Sequence, residues 1–320
     1  MTQHNTSQQR LIKAAEKMEI SVNDKQKDWI QDIIEYSKDG KTEVVYEGIN
    51  FGSNSAFSEM ICDDRHIAKQ LLADAGIAVP RGIVFKLDSE DFDSEALRKL
   101  AGGFMEEGKT YVCRPAYGTG RFAQRGTIKS LDDLELHLDQ YIDEFATWLL
   151  EEAHSGSSLE MLVIGGKACG AIVREEFGLL GDGESSLEEL MDAHNAEAAE
   201  ADIIEINADT RQWMRDQDVF LSDVVPEGQR IILAGGDENG HALDVLANLH
   251  ADYALWAEKI AKILNRPVFM LEISTSAPED APDANAMVMD INGQEDWSKF
   301  KEAGEEDDQL ANSILEYLFS

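Results

Sequence analysis

The sequence predicts a mixed α/β (α+β) fold divided into lobes large enough to enclose a small-molecule site. Three observations carry this prediction. Short apolar runs with strand character alternate with segments of helical periodicity, glycine-containing turns separate many of them, and two late apolar runs each carry one acidic residue. Those two runs are V-F-M-L-E-I, from Val268 to Ile273, and V-M-D-I-N, from Val288 to Asn292. Alternation along a strand puts Asp290 and Asn292 on one face. Carboxylate and amide oxygens in this pattern suit Mg2+, with Mn2+ as a compatible substitute, because such cations take few protein ligands and keep positions for phosphates. Glu272, Asp290 and Asn292 are therefore candidate metal ligands, and the competing reading makes the two acids turn or helix-cap residues.

The elements follow in order. Gln8 to Asp39 reads as mostly helical and strongly polar, and Thr42 to Tyr46 as one short strand, so no complete strand–helix–strand unit precedes residue 53. Asp63 to Pro80 carries Ile67, Leu71 and Leu72 at helical spacing, ends at Gly76 and continues into an extended Val79-Pro80. A small α/β unit comes next, with strand Ile83 to Phe85, helix Ser94 to Met105, strand Tyr111 to Arg114, a glycine loop, strand Gly126 to Ile128 and helix Leu131 to Ile142. From Thr147 onward the pattern is that of a larger lobe, containing a hairpin from Met161 to Arg174 turned at Gly165-Gly166. Asp192 to Ala208 reads as a surface helix or loop. Ala277 to Asn285, with Pro278 and Pro282, reads as a hairpin-like excursion joining the two acidic strands. The expected organisation is an N-terminal region with a connecting helix over 1–81, a small lobe over 82–146 and a large lobe over 147–320.

Composition bounds the function. A chain of 320 residues that is 43% apolar can bury a large core. It has no apolar run of membrane-spanning length, and Met1 to Arg10 lacks the apolar core of a signal peptide, so the expected location is the cytoplasm. Cys62, Cys113 and Cys169 lie in or beside apolar segments and form no C-x-x-C pair, so they read as reduced packing residues. With 28 basic and 63 acidic residues the net charge is −35. Such a surface repels phosphate backbones and anionic lipid, so neither nucleic acid nor a membrane is an expected partner. Against this background Arg65, Arg114, Arg121, Arg125 and Arg174 stand out as local positive charge.

Six segments then arrive in a fixed order: D-D-R-H-I-A-K from Asp63, Y-V-C-R-P-A-Y-G-T-G-R from Tyr111, W-L-L-E-E-A-H-S-G from Trp148, the Met161 to Arg174 hairpin, G-D-G-E-S-S-L-E-E-L from Gly181, and the acidic strands. The order resembles that of ATP-grasp ligases over roughly residues 53 to 318. It is most similar to the branch containing cyanophycin synthetase and the glutathione-synthetase half of fused glutathione-forming enzymes. The resemblance implies two α/β lobes sandwiching ATP, with Glu272, Asp290 and Asn292 holding the metal. Most relatives bind the phosphates with lysines in D-K-x-x-T-K and V-K-P, where this chain has Arg65 and Arg114; the R-P-A-Y-x-x-G form also resembles the ATP-grasp domains of carbamoyl phosphate synthetase, with arginine at both positions. The alternative reading leaves Arg65 an exposed helix residue and Arg114 a strand cap held by a salt bridge.

The same resemblance makes Gly118, Gly120 and Arg121 part of a phosphate lid, sets Glu151 and Glu152 at the adenine edge, and puts Ser158 where a ribose-binding acid is usual, with Glu160 able to take that contact. Arg174 would face the transferred phosphate, so that Arg114 and Arg174 are the catalytic candidates. Two departures stand out. The arginine and asparagine ahead of S-T-G-G are missing from Leu233 to Asp244, where Asn239 and His241 could substitute, and the P-G-L usual after the metal asparagine is replaced at Gly293. The implied activity is ATP-dependent activation of an amino-acid or peptide carboxylate as an acyl phosphate, joined to an amine with release of ADP and phosphate. Its partners would be ATP and small amino-acid or peptide substrates, and a homo-oligomer is compatible. The alternative is a degenerate ATP-grasp protein that binds nucleotide or a partner, or a kinase-like phosphotransferase.

Overall fold

The computed structural model of the chain describes all residues except 1–3, 26–31, 49, 88–93, 118–125, 142–144, 155, 175–176, 199–202, 207, 235–241, 294–296 and 301–307. The N-terminal region holds helix α1 (Thr6–Lys17) and strands β1 (Ser21–Asp24), β2 (Ile33–Lys38), β3 (Lys41–Tyr46) and β4 (Asn50–Phe51), which pair in sequence order as one antiparallel sheet. This corrects the largely helical expectation for Gln8 to Asp39. The turn between β2 and β3 is Asp39-Gly40, both at positive φ, and this dipeptide is a strong hairpin signal because both positions must be left-handed. Ile34 and Tyr36 alternate onto the buried face of β2, as period two requires.

Helices α2 (Ala56–Asp63) and α3 (Arg65–Asp74) replace the single expected helix. Asp64 is the break: it leaves helical geometry, and its carboxylate accepts from the His66 and Ile67 N–H groups, capping α3. Arg65 thereby becomes the first residue of α3, and its N–H donates to the Ala116 carbonyl (3.1 Å).

The small sheet contains β5 (Gly82–Lys86), β6 (Tyr111–Pro115), β7 (Gly126–Ile128) and β8 (Thr147–Glu152) in the order β5-β8-β6-β7. Helices α4 (Ser94–Phe104) and α5 (Leu131–Tyr141) pack on it around Trp148, Tyr111 and Leu134. Thr147 to Glu152, expected to open the large lobe, instead fills the middle of this sheet, between β5 and β6. Leaving it, the chain passes through Gly156, where an added Cβ would lie 2.6 Å from Ser274 Oγ.

The large lobe contains β9 (Ser157–Ile164), β10 (Lys167–Arg174), β11 (Phe177–Leu180), α6 (Leu187–Glu197), α7 (Ala208–Asp216), β12 (Arg230–Ala234), β13 (Ala242–Asp244), α8 (Ala251–Leu264), β14 (Val268–Thr275), β15 (Met287–Asn292) and α9 (Gln309–Leu318). Its central sheet runs β13-β10-β9-β14-β15, every neighbouring pair antiparallel. The expected hairpin turns at Gly165-Gly166, both at positive φ. Leu159, Met161, Phe269, Leu271 and Ile273 pack toward Tyr253, Ala257 and Ile260 of α8. On the opposite face Leu162, Ile164, Val268 and Met270 share a core with α1, β2 and α9. The N-terminal unit thus packs as part of the large lobe.

The thiols of Cys62 and Cys113 are buried, and burial pushes Cys62 up to about 12, in keeping with packing roles. Among the described residues no helix is long and apolar enough to cross a membrane.

Arg266, fully buried after α8, ties α2 to the end of β15: it donates to the Gly293 carbonyl (2.6 Å), pairs with Glu59 (2.5 Å) and reaches Ser58 Oγ (3.4 Å). Glu59 is only half-buried, but truncating Arg266 empties a fully buried site and strips the Gly293 carbonyl of its donor. Arg266→Ala should therefore cost about 3–5 kcal/mol in urea unfolding, and a loss under about 1 kcal/mol, the range of an exposed pair, would show that this tie is dispensable.

Candidate functional site

Five charged side chains meet where the small sheet faces the end of β15. Arg65 is fixed at the start of α3 by the Asp64 cap, and Lys69 lies one turn on along the same helix face. Arg114 comes from β6, Glu151 from β8 and Asp290 from β15. Asp290 Oδ2 accepts from Arg65 Nε (3.0 Å) and from Arg114 Nη1 (3.3 Å). The Glu151 carboxylate is held at both oxygens, by Lys69 Nζ (2.5 Å) and Arg114 Nη2 (3.2 Å). Carbonyls complete the set, with Arg65 Nη1 donating to Pro115 (3.3 Å) and Arg114 Nη2 to Met289 (3.0 Å). Met289 is an extra residue in β15, a bulge that takes it out of the pairing with β14.

Burial and charge oppose each other here, and charge prevails at Asp290, Glu151 and Arg114. Burial works to raise the Asp290 carboxyl, but Arg114, Arg65 and Lys69 together hold it far below the usual carboxylate range. Glu151 is lowered in the same way by Lys69 and Arg114 against its own desolvation. Burial would lower Arg114, yet Asp290, Glu151 and Glu272 raise it. Lys69 is the exception, since desolvation brings it down to about 8 despite Glu151. At neutral pH the cluster is three cations and two anions.

No family model matches the chain. In sequence it is 23% identical over 280 residues to a glutathione biosynthesis bifunctional protein of Clostridium perfringens, covering 83% of this chain and 35% of that protein. It is 25% identical over 247 residues to a cyanophycin synthetase of Crocosphaera subtropica, covering 73% of this chain and 27% of that one. The chain thus spans about a third of the length of the curated relatives it matches. Among solved structures, a bifunctional glutathione synthetase from Pasteurella multocida superposes with a TM-score of 0.61 at 17% identity, covering 98% of this chain and 43% of that one. A D-alanine–D-alanine ligase from Bacillus anthracis gives 0.51 at 16% identity, covering 83% and 69%. The chain has the ATP-grasp fold.

Within the ATP-grasp fold the sequence candidates separate into groups. Arg65, Arg114, Glu151 and Asp290 are brought together. Glu272 of β14 stands opposite Asp290 of β15 and opposite Glu160 of β9, so three acids form a row across neighbouring strands. Ser158 Oγ donates to Glu272 Oε1 (3.4 Å). Asn292 follows Asp290 on the same face of β15. Glu152 does not join the cluster, because adjacent strand residues point to opposite faces; it pairs instead with Arg81 and Lys109 (3.3 and 3.4 Å). Arg174 closes β10 opposite Ser158, and its side chain lies outside the described residues. Gly118, Gly120, Arg121, Arg125, Asn239 and His241 also lie outside them.

For a hard divalent cation, the donor chemistry of Glu272, Asp290 and Asn292 fits: two carboxylates and an amide oxygen on facing strands, with no soft ligand. No cluster of three or more His, Cys, Asp or Glu side chains poised for a metal occurs among the described residues.

Lys69 is the residue the sequence reading passed over. Two signals could have found it: its i+4 spacing from Arg65, and its match to the second lysine of D-K-x-x-T-K. A lysine only 3% exposed needs a counter-charge, and Glu151 supplies it.

Asp290 gives a pH prediction. Its folded value is depressed, so its stabilising contribution is present above the unfolded value near ~3.9 and is lost as pH falls below it. Asp290→Asn should be less stable than the parent at pH 7. Urea unfolding should also show it losing less further stability between about pH 5 and pH 2. Equal acid slopes in the two proteins would remove Asp290 from the linkage.

Proposed function

We propose that the chain is an ATP-dependent carboxylate–amine ligase, activating an amino-acid or peptide carboxylate as an acyl phosphate and passing the acyl group to an amine. One observation carries this reading. Arg65 and Arg114, on separate elements, direct two guanidinium groups at a single carboxylate oxygen, which is the arrangement an anion site requires. The fold and the sequence relationship to two ligase types point to the phosphates of ATP as the anion. The net charge of −35 favours small-molecule partners over nucleic acid, and a cytoplasmic supply of ATP suits the reaction.

In this mechanism the substrate carboxylate attacks the γ-phosphorus, ADP leaves, the amine attacks the acyl carbon, and phosphate leaves. Arg65 and Arg114 would neutralise the phosphate oxygens as charge redistributes, and their fixed anchors lower the reorganisation needed. Lys69 holds Glu151, and Glu151 holds Arg114. A divalent cation on Glu272, Asp290 and Asn292 would supply further neutralisation at the β- and γ-phosphates. A second reading, an ATP-grasp chain that uses these charges only to tie its lobes together, is favoured by the ion pairs Arg65–Asp290, Arg114–Asp290, Arg114–Glu151 and Lys69–Glu151.

ADP release separates the two. On the first reading ADP, not AMP, forms only when a carboxylate is supplied from a panel of amino acids and dipeptides, and hydroxylamine traps the activated acid as a hydroxamate. Asp290→Asn should abolish ADP formation. Alanine at Arg65 or Arg114 should weaken ATP binding by about 1.5–3 kcal/mol, the scale of a hydrogen bond to a charged group, with partial rescue by lysine. No substrate-dependent ADP across the panel favours the second reading, a stable phosphorylated product a kinase, and AMP with pyrophosphate would overturn the mechanism.

A further inference from the structure

The pairing at Asp290 bears on how nucleotide and cation would share the site. Oδ2 already accepts from two guanidinium groups, and Oδ1 accepts the Ile291 N–H (3.0 Å). A divalent cation approaching that carboxylate meets two positive charges within hydrogen-bond distance of the oxygen it needs. Arg65 and Arg114, by contrast, do not depend on Asp290 alone for their position. The Pro115 carbonyl holds Arg65, while the Met289 carbonyl and Glu151 hold Arg114. If Asp290 turned away, Arg65 Nε and Arg114 Nη1 would stay in place as donors. A third donor is already waiting: Arg114 Nε is buried and has no hydrogen-bond partner among the described residues. Buried N–H donors without acceptors are uncommon in folded proteins, and a guanidinium presenting one beside two exchangeable donors is built for a larger anion than one carboxylate oxygen.

We propose that Asp290 is a resident anion that occupies the Arg65–Arg114 site until a polyphosphate displaces it, so that its carboxylate reaches a divalent cation only once the nucleotide phosphates are in place. The proposal rests on the ATP-binding reading above and deepens it: cation and nucleotide bind interdependently, and free cation alone does not load the site. The order follows from charge. Phosphate oxygens replace Asp290 at the arginines and keep both cations paired, whereas a metal arriving first would take Asp290 from Arg65 and leave Arg114 with Glu151 alone.

The test uses Mn2+ alone, with no nucleotide, followed by the electron paramagnetic resonance of the free ion at ionic strength high enough to screen surface carboxylates. The full chain should bind Mn2+ no better than its Asp290→Asn variant. Arg65→Gln and Arg114→Gln should each bind roughly ten- to a hundredfold tighter than the parent, the range set by losing one charged hydrogen bond. Adding Asp290→Asn to either should abolish that gain. Arg114→Lys, which keeps a charge but cannot fork, should show a smaller gain and serves if the glutamine variants do not fold. Mn2+ binding by the parent that is already tight and Asp290-dependent overturns the proposal, as does the absence of any gain in the arginine variants. Because nothing turns over in this experiment, its outcome is separate from whether the chain makes ADP.

Discussion

Desolvated positive charge must be matched where it sits, and that requirement organises the centre of this molecule. Arg65 and Lys69 share the buried face of α3 with Ala68 and Leu72, and Arg114 lies on a strand whose other face is apolar, so their heads are drawn into a seam with little water. Glu151 and Asp290 make that tolerable, each lowered in pKa by the cations it serves. The row of acids on the central sheet faces the converse difficulty, since carboxylates directly opposite one another on neighbouring strands repel. Asp290 answers both at once. It removes one charge from the row and lends it to the guanidinium pair.

The central sheet makes this arrangement reproducible. β9 and β14 are apolar on both faces over much of their length, one side against α8 and the other against α1 and α9. A one-residue slip would exchange the faces and carry Glu272 and Glu160 into the layer beneath α8, where nothing on α8's buried face could accept them. The hydrophobic register therefore fixes the polar one. The bulge at Met289 is a local exception, and it turns a carbonyl toward Arg114.

The features legible in the sequence were those with a short-range cause. Gly165-Gly166 announced its hairpin because two left-handed residues in succession have few other uses, and the acidic strands were visible as apolar runs with one discordant residue each. Arg65, Arg114 and Asp290 could be linked only through the likeness to ATP-grasp ligases, because nothing local brings positions 65, 114 and 290 together. Besides Lys69 and the helix break at Asp64, three features escaped. Asp39-Gly40 carried a plain hairpin signal that the polar composition around it masked. Strand alternation alone should have split Glu151 from Glu152, but an adjacent acidic pair invites treatment as a unit. Thr147 to Glu152 was assigned to the wrong lobe because a strand in the middle of a sheet is placed by partners distant in sequence, here β5 and β6.

Between Glu152 and Ser157 the chain needs only four residues to pass from the middle of one sheet to the middle of the next. The Ala153 N–H is tethered to the Thr110 carbonyl at one end, and Gly156 is wedged against Ser274 at the other. Four residues between two strands span at most roughly 18 Å when fully extended, so the two sheets stay neighbours at this crossing whether or not the Asp290 pairing is made.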